Sequence, residues 1–155
     1  MAQQLWFLRH GEAEPHGAAP DAERPLTERG RGQSDSAGRA LAAMGVTFQH
    51  AFTSPKVRAA ETARIACEHL GLEPVVHEPL RDGFDRGEAT ALVHAAGDDQ
   101  RILLVGHEPD FSRAVHDFTG ARIDLKKGGI AAVRVDGASA ELIALLRPRE
   151  LDRIR

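Results

Sequence analysis

Two histidines in this chain each close a run of apolar residues. In "WFLRHGEAEP", Arg9, His10 and Gly11 follow Trp6, Phe7 and Leu8 directly; in "RILLVGH", His107 ends a second such run. Between them, "HAFTSPKVRA" places Thr53 and Ser54 ahead of Arg58. A buried strand that ends on arginine and histidine points them at a solvated edge, a carboxylate, a metal or a phosphate. Each residue type has something to offer the last of these. Arginine stays charged at any physiological pH and presents a planar fork that matches phosphate oxygens. Histidine has a reference pKa near 6.5, so a neutral imidazole nucleophile is available at about pH 7. A transferring phosphoryl group spreads charge over its equatorial oxygens, and fixed cationic donors around it lower the barrier. Glycine at position 11 lets the backbone turn and is expected to bring N–H groups near an anion.

Elements must carry these side chains to one place. Leu5 to Leu8 are short enough for a buried strand. A loop rich in Pro, Gly, Ala and Asp runs from Gly11 to Pro25. Thr27 is a plausible N-cap for "ERGRGQSDSAGRALAAMG", with Gly45 as its stop, although the glycines inside weaken that helix by roughly 1 kcal/mol each. "HAFTSP" reads as a strand breaking into a turn, with Ser54 as cap and Pro55 in the first turn of a helix that Gly71 ends. "PVVHE" reads as a strand, "EATALVHAAG" as a helix, "RILLVGH" as a strand and Pro109 to Phe118 as a helix. "GIAAVRVDGASAELIALL" reads as two strands about the Asp136-Gly137 turn. Strands alternating with helices imply an α/β fold, a three-layer α/β/α sandwich with a mainly parallel sheet and an antiparallel strand from the C-terminal hairpin. In such sheets the functional crevice lies at the carboxyl ends of the strands, where Arg9-His10, Thr53-Ser54 and His107 arrive.

Composition narrows the classes. The 155 residues are expected to form one domain, 1–155, with 42% apolar and 28% charged residues, as in a soluble globular protein. A formal net charge of -3 argues against a general nucleic-acid binder but allows a small basic pocket. No run of about 18 apolar residues exists to span a membrane, and the start lacks the pattern of a signal peptide. The lone Cys67 permits a reducing compartment, and the cytoplasm is the expected location.

Four blocks, "LRHGEAE", "RPLTERGRGQ", "TSPKVRAAETA" and "LLVGHEPDFS", occur in this order. Together they resemble the histidine phosphatase superfamily, its phosphoglycerate-mutase-like branch, and within it the short SixA-type phosphohistidine phosphatases. The resemblance extends over nearly the whole chain. It implies that His10 is a nucleophile that becomes transiently phosphorylated, with Arg9, Arg58 and His107 around the phosphoryl group. It implies a general acid in a segment over the site. "PLRDGFDRGE" puts Asp82 at the family's offset from Leu80, with Asp85 and Glu88 as competitors. No metal and no organic cofactor is implied. The substrate would be a phosphohistidine on a protein; the alternatives are a small-molecule phosphomonoesterase and an inactive phosphate-binding module.

Other candidates have plainer readings. His50, His69, His77, His94 and His116 sit in none of the four blocks and read as structural, and His16 as a solvated loop residue. Cys67 falls on an apolar helix face and reads as a small core hydrophobe. A cysteine phosphatase needs an arginine six residues on, where this chain has Glu73. The helical H-E-x-x-H metal pair is absent. Arg147, Arg149, Arg153 and Arg155, interrupted by Glu150 and Asp152, read as a frayed, solvated terminus.

Overall fold

The structure is a computed structural model that describes residues 2–155. Its centre is two apolar strands, β1 (Gln3–Arg9) and β4 (Arg101–Gly106), paired in parallel from Gln4 with Arg101 to Arg9 with Gly106. Side chains alternate across a strand, so each presents two apolar faces. Leu5, Phe7, Ile102 and Leu104 pack with Phe111 and Val115 on one side; Trp6, Leu8, Leu103 and Val105 pack with Leu41 and Ala63 on the other. Burial on both faces is why these strands read as unbroken apolar runs.

Six strands form one sheet in the order β3-β2-β4-β1-β5-β6. The short β2 (His50–Thr53) joins β4 in parallel, and β3 (Val75–Val76) joins β2 in parallel. β5 (Ile130–Asp136) runs antiparallel to β1, and β6 (Ser139–Leu146) antiparallel to β5 across the Gly137 turn. Only β5 therefore runs against the rest. Helices α3 (Arg86–Ala96) and α4 (Asp110–Thr119) cover one face; α1 (Glu28–Ala43), α2 (Val57–Glu68) and α5 (Pro148–Leu151) cover the other. This is the expected three-layer α/β/α arrangement.

Four local expectations fail, each for a physical reason. α2 begins at Val57 rather than at Pro55, with Lys56 at its N-cap, because the Ser54 hydroxyl is spent on His107 as well as on the Lys56 N–H. "PVVHE" yields only the two exposed residues of β3, since an outer strand with one partner buries little. α3 starts two residues before Glu88, capped by the Asp85 carboxylate, which accepts from the Glu88 N–H at 2.9 Å. The basic tail is not frayed. Arg147 and Glu150 cap α5 and Leu151 is fully buried against the α1 and α2 side, so an apolar anchor outweighs the charge around it.

α1 forms as Thr27 predicts, its hydroxyl accepting from the Gly30 N–H at 3.0 Å. Of the glycines that weaken it intrinsically, Gly30 and Gly38 have a packing purpose, Gly38 against the Ala66 backbone of α2. A side chain on Gly30 would overlap the Glu12 carbonyl, and one on Gly11 would meet the Gly30 backbone. α1 thus lies directly against the loop that follows β1.

Candidate active site

Three neighbouring parallel strands end at one cleft. β1 delivers Arg9 and His10, β2 delivers Ser54 and β4 delivers His107, tied side by side by His10 N–H to Gly106 O (3.0 Å) and Ser54 N–H to Val105 O (3.0 Å). The first turn of α2 adds Arg58. His10, Ser54, Arg58 and His107 are buried, yet His10, Arg58 and His107 line an open cleft of about 830 Å³ together with Arg9 and Asp82. All five expected site residues therefore meet there. Asp85 and Glu88 do not line it.

The state of His10 is set by one contact. Its Nδ1 lies 2.6 Å from the Gly11 carbonyl oxygen, which can only accept, so Nδ1 carries the proton and Nε2 keeps its lone pair. Burial, and then the charges of Arg58, Arg9 and Lys127, push its pKa down to about 4; the Gly11 contact opposes this. The ring is neutral at pH 7 with a free nucleophilic nitrogen. His107 stands with its ring centroid 5.2 Å from that of His10 and its Nε2 2.7 Å from Ser54 Oγ. Burial and the neighbouring His10, Arg58 and Lys56 push its pKa down to about 3. Its buried Nδ1 has no hydrogen-bond partner.

Both arginines are held by contacts that leave nitrogen atoms unsatisfied. Arg9 donates from Nη1 to the Leu125 carbonyl at 2.9 Å, and Arg58 from Nη1 to the Asp21 carbonyl at 2.7 Å and from Nη2 to Asp21 Oδ2 at 3.3 Å. The Nε atoms of both are buried without partners. Burial lowers the Arg9 pKa from its ordinary value.

Sequence reasoning missed several participants. Asp21, in a short 3-10 turn (Asp21–Glu23) within the loop after β1, takes Arg24 at 2.9 Å, Arg58 at 3.3 Å and Lys56 at 3.6 Å; Arg24 above all holds its pKa down to about 2. Lys56 and Lys127 also line the cleft. A signal was available for Lys56, which lies inside the quoted "TSPKVRA" block; Asp21 lay in a loop without pattern. The expectation for Gly11 is corrected: its N–H donates to Thr62 Oγ1 at 3.1 Å, and the Glu12 N–H to Gln33 Oε1 at 2.8 Å. These amides build the loop instead of facing an anion.

Asp82 is in the cleft but bound. Its Oδ1 accepts from Lys56 Nζ at 3.0 Å, and this contact lowers its pKa, so the carboxylate is ionised at neutral pH. Asp85 is occupied as the α3 cap. Neutral imidazole, fixed cations and an ionised carboxylate form a site that can accept a phosphoryl group on nitrogen. Among the described residues no group of three His, Cys, Asp or Glu side chains is arranged to hold a metal ion, and no helix is long and apolar enough to cross a membrane.

Known proteins can be set beside this geometry. The sequence profile of the histidine phosphatase superfamily (branch 1) matches residues 5–92. An uncharacterised protein of Picosynechococcus sp. is 33% identical, the match covering 96% of this chain and 98% of that protein. A 2,3-bisphosphoglycerate-dependent phosphoglycerate mutase of Methylobacterium radiotolerans is 34% identical over 59% of this chain, which there spans only 46% of the mutase. Among solved structures, the protein histidine phosphatase SixA complexed with tungstate superposes with a TM-score of 0.86 at 25% identity, over 96% of this chain and 99% of that one.

Proposed function

The chain belongs to the histidine phosphatase superfamily, and on that premise we propose that it is a phosphatase acting on phosphohistidine in a protein. His10 Nε2 attacks phosphorus, the new P–N bond forms as the bond to the substrate imidazole breaks, and that imidazole takes its proton from solvent. Water then attacks the phospho-His10 phosphorus, releasing inorganic phosphate and restoring the ring. Arg9, Arg58 and His107 stabilise the charge on the equatorial oxygens in both steps. No metal or organic cofactor enters either step. We take residues 1–155 as one catalytic domain, since a single sheet carries every element, and we place it in the cytoplasm, where a lone thiol such as Cys67 stays reduced.

The observation that carries the choice of substrate is the Lys56–Asp82 ion pair. An alkoxide leaving group is strongly basic and needs a proton from a positioned acid. Asp82 is held ionised, and Asp85 is spent on capping α3. Imidazole is a far weaker base and can leave without such an acid. The likeness to a protein histidine phosphatase supports the same reading. The mutase match favours a second one, a small phosphomonoester as substrate. Kinetics on both classes decide: wild type should show its highest kcat/KM on phosphohistidine, and Asp82→Asn should leave that value nearly unchanged. A wide preference for an alkyl phosphate, with a loss of about 10²-fold in Asp82→Asn, would install the phosphomonoesterase instead.

A further inference from the structure

The cleft continues past the residues that face the phosphoryl group. A second groove of about 520 Å³ shares Arg9, Glu12 and Lys127 with it. Its wall adds Arg29 from α1, Lys126 from the loop before β5, and Arg147 and Arg149 at α5. The lining thus holds six cationic side chains against one carboxylate, Glu12, in a chain whose net charge is -3.

Some of this charge is already matched. Lys126 pairs with Asp124 at 2.6 Å and Arg147 with Glu150 at 2.8 Å. The rest is not. Arg29 reaches Glu12 only at 3.6 Å, Arg149 reaches Glu150 only at 4.0 Å, and among the described residues Lys127 has no carboxylate within ion-pair distance. The side chains of Arg29 and Arg149 are 75% and 73% exposed. Arg29 and Arg149 also edge the next groove along, where Arg39 is paired with Asp35 at 2.9 Å and Asp152 at 3.8 Å.

A single phosphoryl group held between Arg9 and Arg58 has no use for these outlying cations. They suit anions carried elsewhere on the same substrate, reached by way of Lys127. Their long side chains come from three separate segments and stay exposed, unlike the buried converging donors that would grip one compact phosphate. Such a field steers and registers an acidic polypeptide. We propose that this groove docks an acidic stretch of the phosphoprotein whose phosphohistidine enters the cleft. The proposal rests on the phosphohistidine reading above for its substrate and on the groove for its sign.

The test uses two synthetic peptides with one phosphohistidine, flanked by aspartates and glutamates in one and by serines and glycines in the other. Wild type should turn over the acidic peptide with about 10-fold higher kcat/KM at low salt, through KM, and the gap should close as salt is raised. In Arg29→Gln/Arg149→Gln the preference should collapse, while hydrolysis of free phosphohistidine stays at the wild-type rate and certifies the fold. A double variant that keeps the preference, or a wild type that has none, overturns the docking proposal. So does stronger competition by a single-stranded oligonucleotide than by the unphosphorylated acidic peptide, which would make the groove a nucleic-acid surface. The phosphohistidine reading fails separately, if wild type hydrolyses neither the phosphohistidine peptides nor free phosphohistidine. Docking is then judged from binding of the unphosphorylated acidic peptide, which must weaken in the double variant.

Discussion

His10 is prepared by its surroundings more than by its own chemistry. A histidine in water is partly protonated near pH 6.5; here burial and three cations hold the ring neutral down to about pH 4, and the Gly11 carbonyl fixes the tautomer. Ring resonances of His10 and His107 followed by NMR should therefore not titrate between pH 5 and 8. A midpoint near 6.5 for either would show that the cleft does not exert this field. Because both folded-state values lie below the unfolded one, the unfolded chain binds more protons between about pH 4 and 6.5, and stability should fall as pH drops through that window. Asp21 cannot produce the same fall, since its depressed carboxylate matters only below about pH 4. His10→Ala should abolish turnover while the fold survives, and quenched wild type should carry an acid-labile phosphoryl group on His10. A variant retaining a tenth of the activity would remove His10 from the nucleophile's place. Asp21→Ala should act through Arg58, which loses its carboxylate partner at 3.3 Å. A fall in kcat of about 10-fold is expected, with Asp21→Asn milder because its side-chain oxygen can still accept from Arg58 Nη2, while the backbone carbonyl anchors Nη1 in both variants.

At the scale of elements, the placement of the site depends on α1 lying close against the loop after His10. Gly30 and Gly32 sit in the same helix and separate intrinsic propensity from packing. Nothing surrounds a side chain at Gly32, so Gly32→Ala should stabilise the protein by about 0.5–1 kcal/mol. Gly30→Ala gains the same propensity but drives a methyl into the Glu12 carbonyl, and should destabilise by about 1–3 kcal/mol and slow catalysis. Denaturation midpoints of the two variants moving in the same direction would disprove the close approach. The contrast also explains what the sequence could reveal. Unbroken apolar runs marked β1 and β4 because burial on both faces leaves no alternation to misread. Thr27 and the Asp136-Gly137 pair marked a cap and a turn through local chemistry alone. Ser54 and the tail misled for the opposite reason. Ser54 looked like a cap because its hydroxyl's other partner, His107, lies 53 residues away, and Leu151 looked solvated because its pocket is built by helices far upstream. Meeting of His10, Arg9, Arg58 and His107 at one edge followed from topology; the Asp21 and Lys56 contacts that hold Arg58 and Asp82 did not, since loops without period carry no such signal.

At the scale of the molecule, a chain of net charge -3 still sets Arg9, Arg24, Lys56, Arg58 and Lys127 around one cleft. Phosphoryl transfer needs positive charge near the equatorial oxygens, and many phosphatases take it from bound metal ions that also activate water. In the proposed mechanism Arg9 and Arg58 supply it from fixed positions, and Lys56 and Lys127 also line the cleft. The carboxylates lining the cleft are otherwise engaged: Asp21 by three cations, Asp82 by Lys56, Glu108 by the N–H and hydroxyl of Ser112, Glu12 by the Thr27 hydroxyl and Asp110 by the Gly83 N–H. Placing a divalent ion among them would break those pairs and set it against the arginines, at a cost that grows with the low dielectric of a half-buried site. Activity on phosphohistidine should accordingly survive exhaustive chelation, and added magnesium or manganese should not raise it. Arg58→Lys should retain part of the rate and Arg58→Ala almost none, because the point charge of lysine keeps the field but loses the planar fork. The two measurements belong together. If chelation destroys activity and a divalent cation restores it, the positive charge comes from a metal and the arginines have another purpose. If chelation is harmless but Arg58→Lys equals wild type, the fork is irrelevant and only diffuse charge matters. Insensitivity to chelator with a graded loss from arginine to lysine to alanine is the outcome required of a site that stabilises transferring phosphoryl oxygens by its own side chains.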